Sequence, residues 1–135
     1  MDLLLLADYA NTTRDNKLNV MGIFNQIYST TFPASHPEMF IVAKFSADPS
    51  EYGGKRHLTI KLLDEDANLI ANLLERDLEI PRAQASREAE IQQILRITGL
   101  VFPKPGTYQF SILVDNDFKG SRTVRLYQIT KPQGS

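Results

Sequence analysis

Hydrophobic residues recur at every second position along most of the chain. "TYQFSILVD" (107–115) sets Tyr108, Phe110, Ile112 and Val114 on one side, with Gln109, Ser111 and Asp115 on the other. "HLTIKLLD" (57–64) alternates Leu58, Ile60 and Leu62 with His57, Thr59 and Lys61. "TVRLYQI" (123–129) sets Val124 and Leu126 against Thr123 and Arg125. Successive side chains of a strand point to opposite faces, so a period of two marks a strand with one buried face. Runs of this kind predict strands over 2–9, 18–30, 38–47, 56–63, 68–79, 88–98, 107–115 and 121–129. Acidic turns separate them. "DEDAN" (64–68) and "DNDFKG" (115–120) each join two apolar runs, and Asp and Asn there bond their own backbone while Gly120 offers a positive φ. Pro33, Pro37, Pro49, Pro81, Pro103 and Pro105 fall in the gaps, where a missing N–H does no harm. Short strands at regular spacing predict an antiparallel sandwich or barrel.

One segment is ambiguous. "AQASREAEIQQILRIT" (83–98) has no breaker and good helix formers, and on a helix Ile91, Ile94, Leu95 and Thr98 share a face. On a strand, Ala89, Ile91, Leu95 and Ile97 share one, with Gln93 as the misfit. The sequel favours a strand from about Glu88 onward. In "LRITGLVFPKPGTYQFSILVD" an apolar run passes through an irregular link at Gly99 to Pro-Gly-x-Tyr and a cleanly alternating strand. This resembles the corner between strands E and F of immunoglobulin-like sandwiches, where a tyrosine returns its hydroxyl to the backbone upstream. Tyr108 stands in that place, although the Cys pair and the Trp of antibody domains are absent. The expected fold is therefore an all-β, antiparallel, immunoglobulin-like β-sandwich of about eight strands.

Composition narrows the functions. At 135 residues one domain is expected, over 1–130, with the polar residues 131–135 as a flexible tail. Zero cysteines exclude disulfides, thiolate zinc sites and cysteine nucleophiles. The net charge of −1 is spread along the chain, and "GGKRH" (53–57), its densest basic cluster, reads as a solvated loop, so nucleic acid is not an expected partner. The opening "MDLLLLADYAN" looks at first like an export signal. Its second residue is Asp2, however, and its apolar run stops at Asp8, short of a signal core or a membrane span. The expected setting is cytoplasmic, with no membrane span.

Few constellations carry chemistry. His36 in "FPASHPEM" reads as a loop histidine and His57 as a surface one, with no metal-ligand spacing between them. No G-x-S-x-G nucleophile turn and no phosphate-binding glycine pattern occurs, even in the long loop "ADPSEYGGKR" (47–56). "NTT" (11–13) fits a glycosylation acceptor only by coincidence in a chain expected to stay inside the cell. Asp8 and Asn11 of "ADYAN" could orient a substrate with Tyr9 stacking, but nothing downstream supplies a partner for a reaction, and a strand end followed by a hairpin loop is the preferred reading. The acidic turns are a sharper idea: Asp64, Glu65 and Asp66, with Asp115, Asn116 and Asp117, could hold calcium if they met at one end of a sandwich. Paired carboxylates in a cleft would instead suit a small hydrolase. No residue is assigned as catalytic, cofactor-binding or metal-binding, and no cofactor is expected.

"LLLADYAN", "KLNVMGIFNQIY", "IKLLDEDANLI" and "GLVFPKPGTYQFSILVDN" together resemble an uncharacterised family of small, single-domain bacterial β-proteins, with the ADYAN…NVMGIF and VFPKPGTYQF stretches as its marks. That resemblance implies a bacterial, cytoplasmic setting and no catalytic residues. The leading expectation is a non-catalytic binding or assembly module, with a protein partner or self-association. "MFIVAKF" (39–45) supports this, being apolar on both faces as if a second subunit or a helix covered the sheet. Calcium-dependent binding through the acidic turns 64–66 and 115–117, and a small carboxylate-dependent hydrolase, are the alternatives.

Overall fold

The computed structural model describes residues 1–80 and 89–130. The expected tail 131–135, and the start of the ambiguous segment up to residue 88, lie outside them. Among the described residues nine strands follow in order: β1 (Leu3–Thr12), β2 (Leu18–Ile23), β3 (Gln26–Ser29), β4 (Ala34–Ala47), β5 (Lys55–Leu63), β6 (Leu69–Glu79), β7 (Ala89–Phe102), β8 (Gly106–Val114) and β9 (Asp117–Gln128). They form two sheets, ordered β2-β1-β4-β7 and β3-β9-β8-β5-β6. Every pairing is antiparallel except that of β3 with β9. The fold is an all-β sandwich, and its core is built from the alternating residues read in the sequence. Leu58, Ile60 and Leu62 of β5 and Phe110 and Ile112 of β8 meet Leu4 and Leu6 of β1 and Met39 and Ile41 of β4.

Several boundaries move. The single strand expected over 18–30 is broken at Phe24 and Asn25, which carry the chain from one sheet to the other: β2 pairs with β1, and β3 with β9. The turn expected over 115–120 is only Asp115–Asn116, both at positive φ (51° and 67°), the geometry of a two-residue type I′ hairpin turn. β9 therefore starts at Asp117, and Gly120 is not the turn glycine. It lies instead beside a bulge that leaves Lys119 unpaired between Leu113↔Phe118 and Ile112↔Gly120. Pro37 and His36 sit inside β4 rather than in a loop.

The irregular link expected at Gly99 is also a strand, for an instructive reason. β7 pairs with β4 in one unbroken register from Ala47↔Ala89 to Ala34↔Phe102. Ile91, Leu95 and Ile97 pack on the main core, and so do Leu100 and Phe102, although their numbers have the opposite parity. Gly99, at φ 64°, lets the strand exchange its faces without inserting a residue. Gly22, at φ 69°, stands where β1 and β2 do the same. Before it, Leu4, Leu6 and Phe24 face the main core; beyond it, Ala10, Leu18 and Val20 belong to a separate cluster with Phe40, Val42 and Ile94.

That second cluster answers what covers "MFIVAKF". The tip of the β1–β2 hairpin folds over the outer face of its own sheet. Ala10, Leu18 and Val20 lie on Phe40 and Val42, Tyr9 meets Phe40 edge-on at 5.3 Å, and Gln92 Nε2 of β7 donates to the Asn16 carbonyl at 3.2 Å. The expected covering by a second subunit or a helix is replaced by a hairpin of the same chain.

The corner before β8 has the expected form. Tyr108 is buried, its hydroxyl donates to the Lys104 carbonyl at 2.6 Å, and its ring meets Phe102 edge-on at 5.1 Å. On the opposite flank, Arg122 of β9 donates from Nε and Nη2 (2.9 and 2.7 Å) to the Leu4 carbonyl of β1, tying the sheets together.

Candidate binding cleft

β4 and β6 end, and β5 and β7 begin, at the same end of the sandwich, and the β8–β9 turn returns there. These five chain segments leave a cleft of about 500 Å³ between the sheets. Phe45, Leu78, Ile80, Ile91 and Val114 give it an apolar floor, while Glu51, Arg56, Asp115, Asp117 and Lys119 form a charged rim with Met1 beside them. The floor follows from strand alternation carried to the strand ends.

The rim is held by backbone as much as by charge. Asp115 Oδ1 accepts the His57 N–H at 2.8 Å, and the Asp115 N–H returns to the His57 carbonyl at 2.8 Å. Its Oδ2 lies 3.4 Å from Arg56 Nε, and Arg56 Nη2 lies 3.7 Å from Glu51 Oε1. Glu51 also accepts the Asp48 N–H through Oε2 at 2.9 Å, which fixes the short 3-10 turn Pro49–Glu51. The loop read as "ADPSEYGGKR" is braced against Ile80 by two bonds of 2.9 Å, from Gly53 N to the Ile80 carbonyl and from Ile80 N to the Gly54 carbonyl. Arg56, the second residue of β5, is thus presented beside a braced loop, between two carboxylates. Next to the cleft, His57 Nδ1 lies 2.8 Å from Asp77 Oδ1, and this bond, with the charges of Asp77, Glu75 and Asp115, raises the His57 pKa.

The other acidic turn is elsewhere. β5 pairs with β8 from Leu58↔Val114 to Leu63↔Gln109, so residues 64–66 and 115–117 stand at opposite ends of that ladder. A calcium site drawing on both turns is not what this register builds. Asp64 is occupied locally: Oδ1 accepts the Asp66 and Asn68 N–H groups at 2.9 Å, which holds its pKa below the usual carboxylate value, the Asn68 bond foremost. Glu65 reaches back to the tyrosine corner and accepts the Thr107 N–H at 2.6 Å. Among the described residues no group of three or more His, Asp or Glu side chains is placed to hold a metal ion.

A family model described as a family of unknown function, DUF6941, matches residues 2–126. The chain belongs to that family. No curated protein matches it. Among solved structures the DUF6941 chain is similar to a beta-glucosidase from Listeria innocua in complex with gluconolactone, with a TM-score of 0.53 at 8% identity. The match covers 96% of this chain and 16% of that one, and it bears on the fold alone. Among the described residues no helix is long and apolar enough to cross a membrane.

Of the residues singled out in the sequence, the DUF6941 fold brings Asp115 and Asp117 to the cleft, with His57 beside them bonded to Asp115, and sets His36, Asp8, Asn11 and the 64–66 turn elsewhere. His36 packs its ring against Phe24 at 5.7 Å. Asp8 lies against Gly22, where a Cβ would collide with its carboxylate, and Asn11 pairs with Asn19. Sequence reasoning missed Glu51, Arg56 and Lys119. "GGKRH" looked solvated, and the only available signal was an acid and a base five residues apart in one glycine-bearing loop.

Proposed function

We propose that this domain is a non-catalytic binding module that takes an apolar side chain of a partner protein into the end cleft. The observation that carries the reading is the cleft's make-up: an apolar floor beside a charged rim in which Arg56 is held between Glu51 and Asp115. Binding sites are concave and mostly apolar, with a small number of polar groups that fix orientation. Three carboxylates, Glu51, Asp115 and Asp117, face two cations, Arg56 and Lys119, so a partner segment with basic residues beside its apolar anchor suits the rim best. The order β3-β9-β8-β5-β6, with β3 parallel to the last strand, and the Tyr108 corner support an immunoglobulin-like module, a fold that hosts many unrelated functions. The family resemblance and the cysteine-free sequence support a bacterial, cytoplasmic setting.

Photo-crosslinking in cells tests the proposal. A benzophenone amino acid in place of Lys119 is expected to give a discrete protein adduct that Leu78→Asp removes, while the same probe in place of Thr123 gives none. Equal adducts from both positions would sink it. The second reading, a carboxylate-dependent hydrolase, draws on Asp115 and Asp117 lining the same cleft. It requires hydrolysis of a glycoside panel that disappears in Asp117→Asn.

A further inference from the structure

We propose that β2 is a self-association edge, which pairs antiparallel with β2 of a second copy of this chain. A strand at the rim of a sheet offers unpaired N–H and C=O groups, and proteins normally guard such rims with charge, proline, shortness or a cover. Among the described residues the sandwich has four rims, formed by β2, β7, β3 and β6. Three of them are guarded. β3 has only four residues. β6 carries Glu75, Arg76, Asp77 and Glu79. β7 bears Glu90 and Arg96, and its Gln93 Oε1 accepts from Arg76 Nη1 of β6 at 3.2 Å, where the two rims approach each other.

β2 has none of these protections. Its six residues, "LNVMGI", include no charge and no proline. Met21 and Ile23 are 66% and 62% exposed, and Tyr9, the β1 partner of Met21, is exposed beside them. The hairpin packs Leu18 and Val20 against its own sheet and leaves Met21 and Ile23 outside, so the unguarded strand presents two exposed apolar side chains. Antiparallel pairing of a strand with its own copy is two-fold symmetric, so one surface serves both partners and the contact closes at a dimer. An uncharged strand meets its copy without like-charge repulsion, whereas β6 paired with itself would set a charged strand against another. A stable interface buries about 800 Å² per partner, more than one six-residue edge offers, so the dimer is expected to be weak, with a Kd on the order of micromolar. The β2 edge pairs with the far half of β1, away from the cleft, so dimerisation and partner binding fail or succeed separately.

Sedimentation velocity on the full chain tests this. A concentration-dependent monomer–dimer equilibrium is expected, weakened at least about tenfold by Met21→Lys and unchanged by Phe118→Lys on β9, a residue equally exposed at 63%. Thermal unfolding of both variants confirms that they are folded. Because the chain has no cysteine, Met21→Cys is also expected to form a disulfide-linked dimer under mild oxidation, and Phe118→Cys not to. A wild-type chain that stays monomeric at about 100 μM, a dimer that Met21→Lys leaves intact, or association beyond the dimer would overturn the proposal.

Discussion

Tyr108 and His57 show how differently two residues of one sheet can be read in advance. Tyr108 announces itself through Pro-Gly-x-Tyr, because the corner is local: its hydroxyl bonds the backbone four residues upstream. Tyr108→Phe keeps the ring on Phe102 and loses the bonds to the Lys104 backbone, so a loss of about 0.5–1.5 kcal/mol is expected by urea denaturation. His57 gives no such sign, and Arg56 only a faint one in Glu51, because Asp77 and Asp115 come from β6 and the β8–β9 turn, far along the chain. The raised His57 pKa makes a signed prediction. Protonated His57 paired with Asp77 favours the folded state below the unfolded pKa of 6.5, and that contribution is lost as pH rises through the folded pKa. Titration by NMR is expected to place His57 above its ordinary value in the wild type and to bring it down in Asp77→Asn. The exposure of the pair keeps its effect on stability small.

Strands were legible wherever one face is buried along the whole length, as in β5 and β8. They were misread where a strand changes face or sheet. Such changes leave the alternation looking broken, so the pattern of β7 stops at Thr98, while the break between β2 and β3 leaves no mark because both pieces are apolar. Gly22 and Gly99, both left-handed, are the physical cause of the face changes, and they make a graded test. Gly99→Ala meets open space and carries only the backbone cost, roughly 1–2 kcal/mol. Gly22→Ala adds a collision with the Asp8 carboxylate and is expected to cost more in the same denaturation series. Phe40→Ala tests the folded-over hairpin. If Ala10, Leu18 and Val20 cover Phe40 as described, truncation removes a core residue and costs about 3–5 kcal/mol; a merely surface-exposed ring would cost far less.

On the scale of the molecule, sheet membership was the least legible property. Alternation says that a strand has a buried side and nothing about which strand lies next to it. That β3 runs parallel to β9, Gln26 opposite Arg125, is fixed by the whole packing arrangement rather than by either segment. So is the pair of bonds from Arg122 to the Leu4 carbonyl, and Arg122→Ala is expected to lower the melting temperature by loosening the first strand from the last. This clasp has a consequence for the protein's birth. A chain made from its N-terminus has β1 and β3 in hand long before β9 leaves the ribosome, and their edges and apolar side chains must wait for it. Assembly that depends on contacts so far apart in sequence is slow, and exposed intermediates of this kind are prone to aggregate. A nascent chain stalled before Asp117 should therefore be bound by chaperones and sensitive to protease, and release of the last strand should switch it to a resistant domain in a single step.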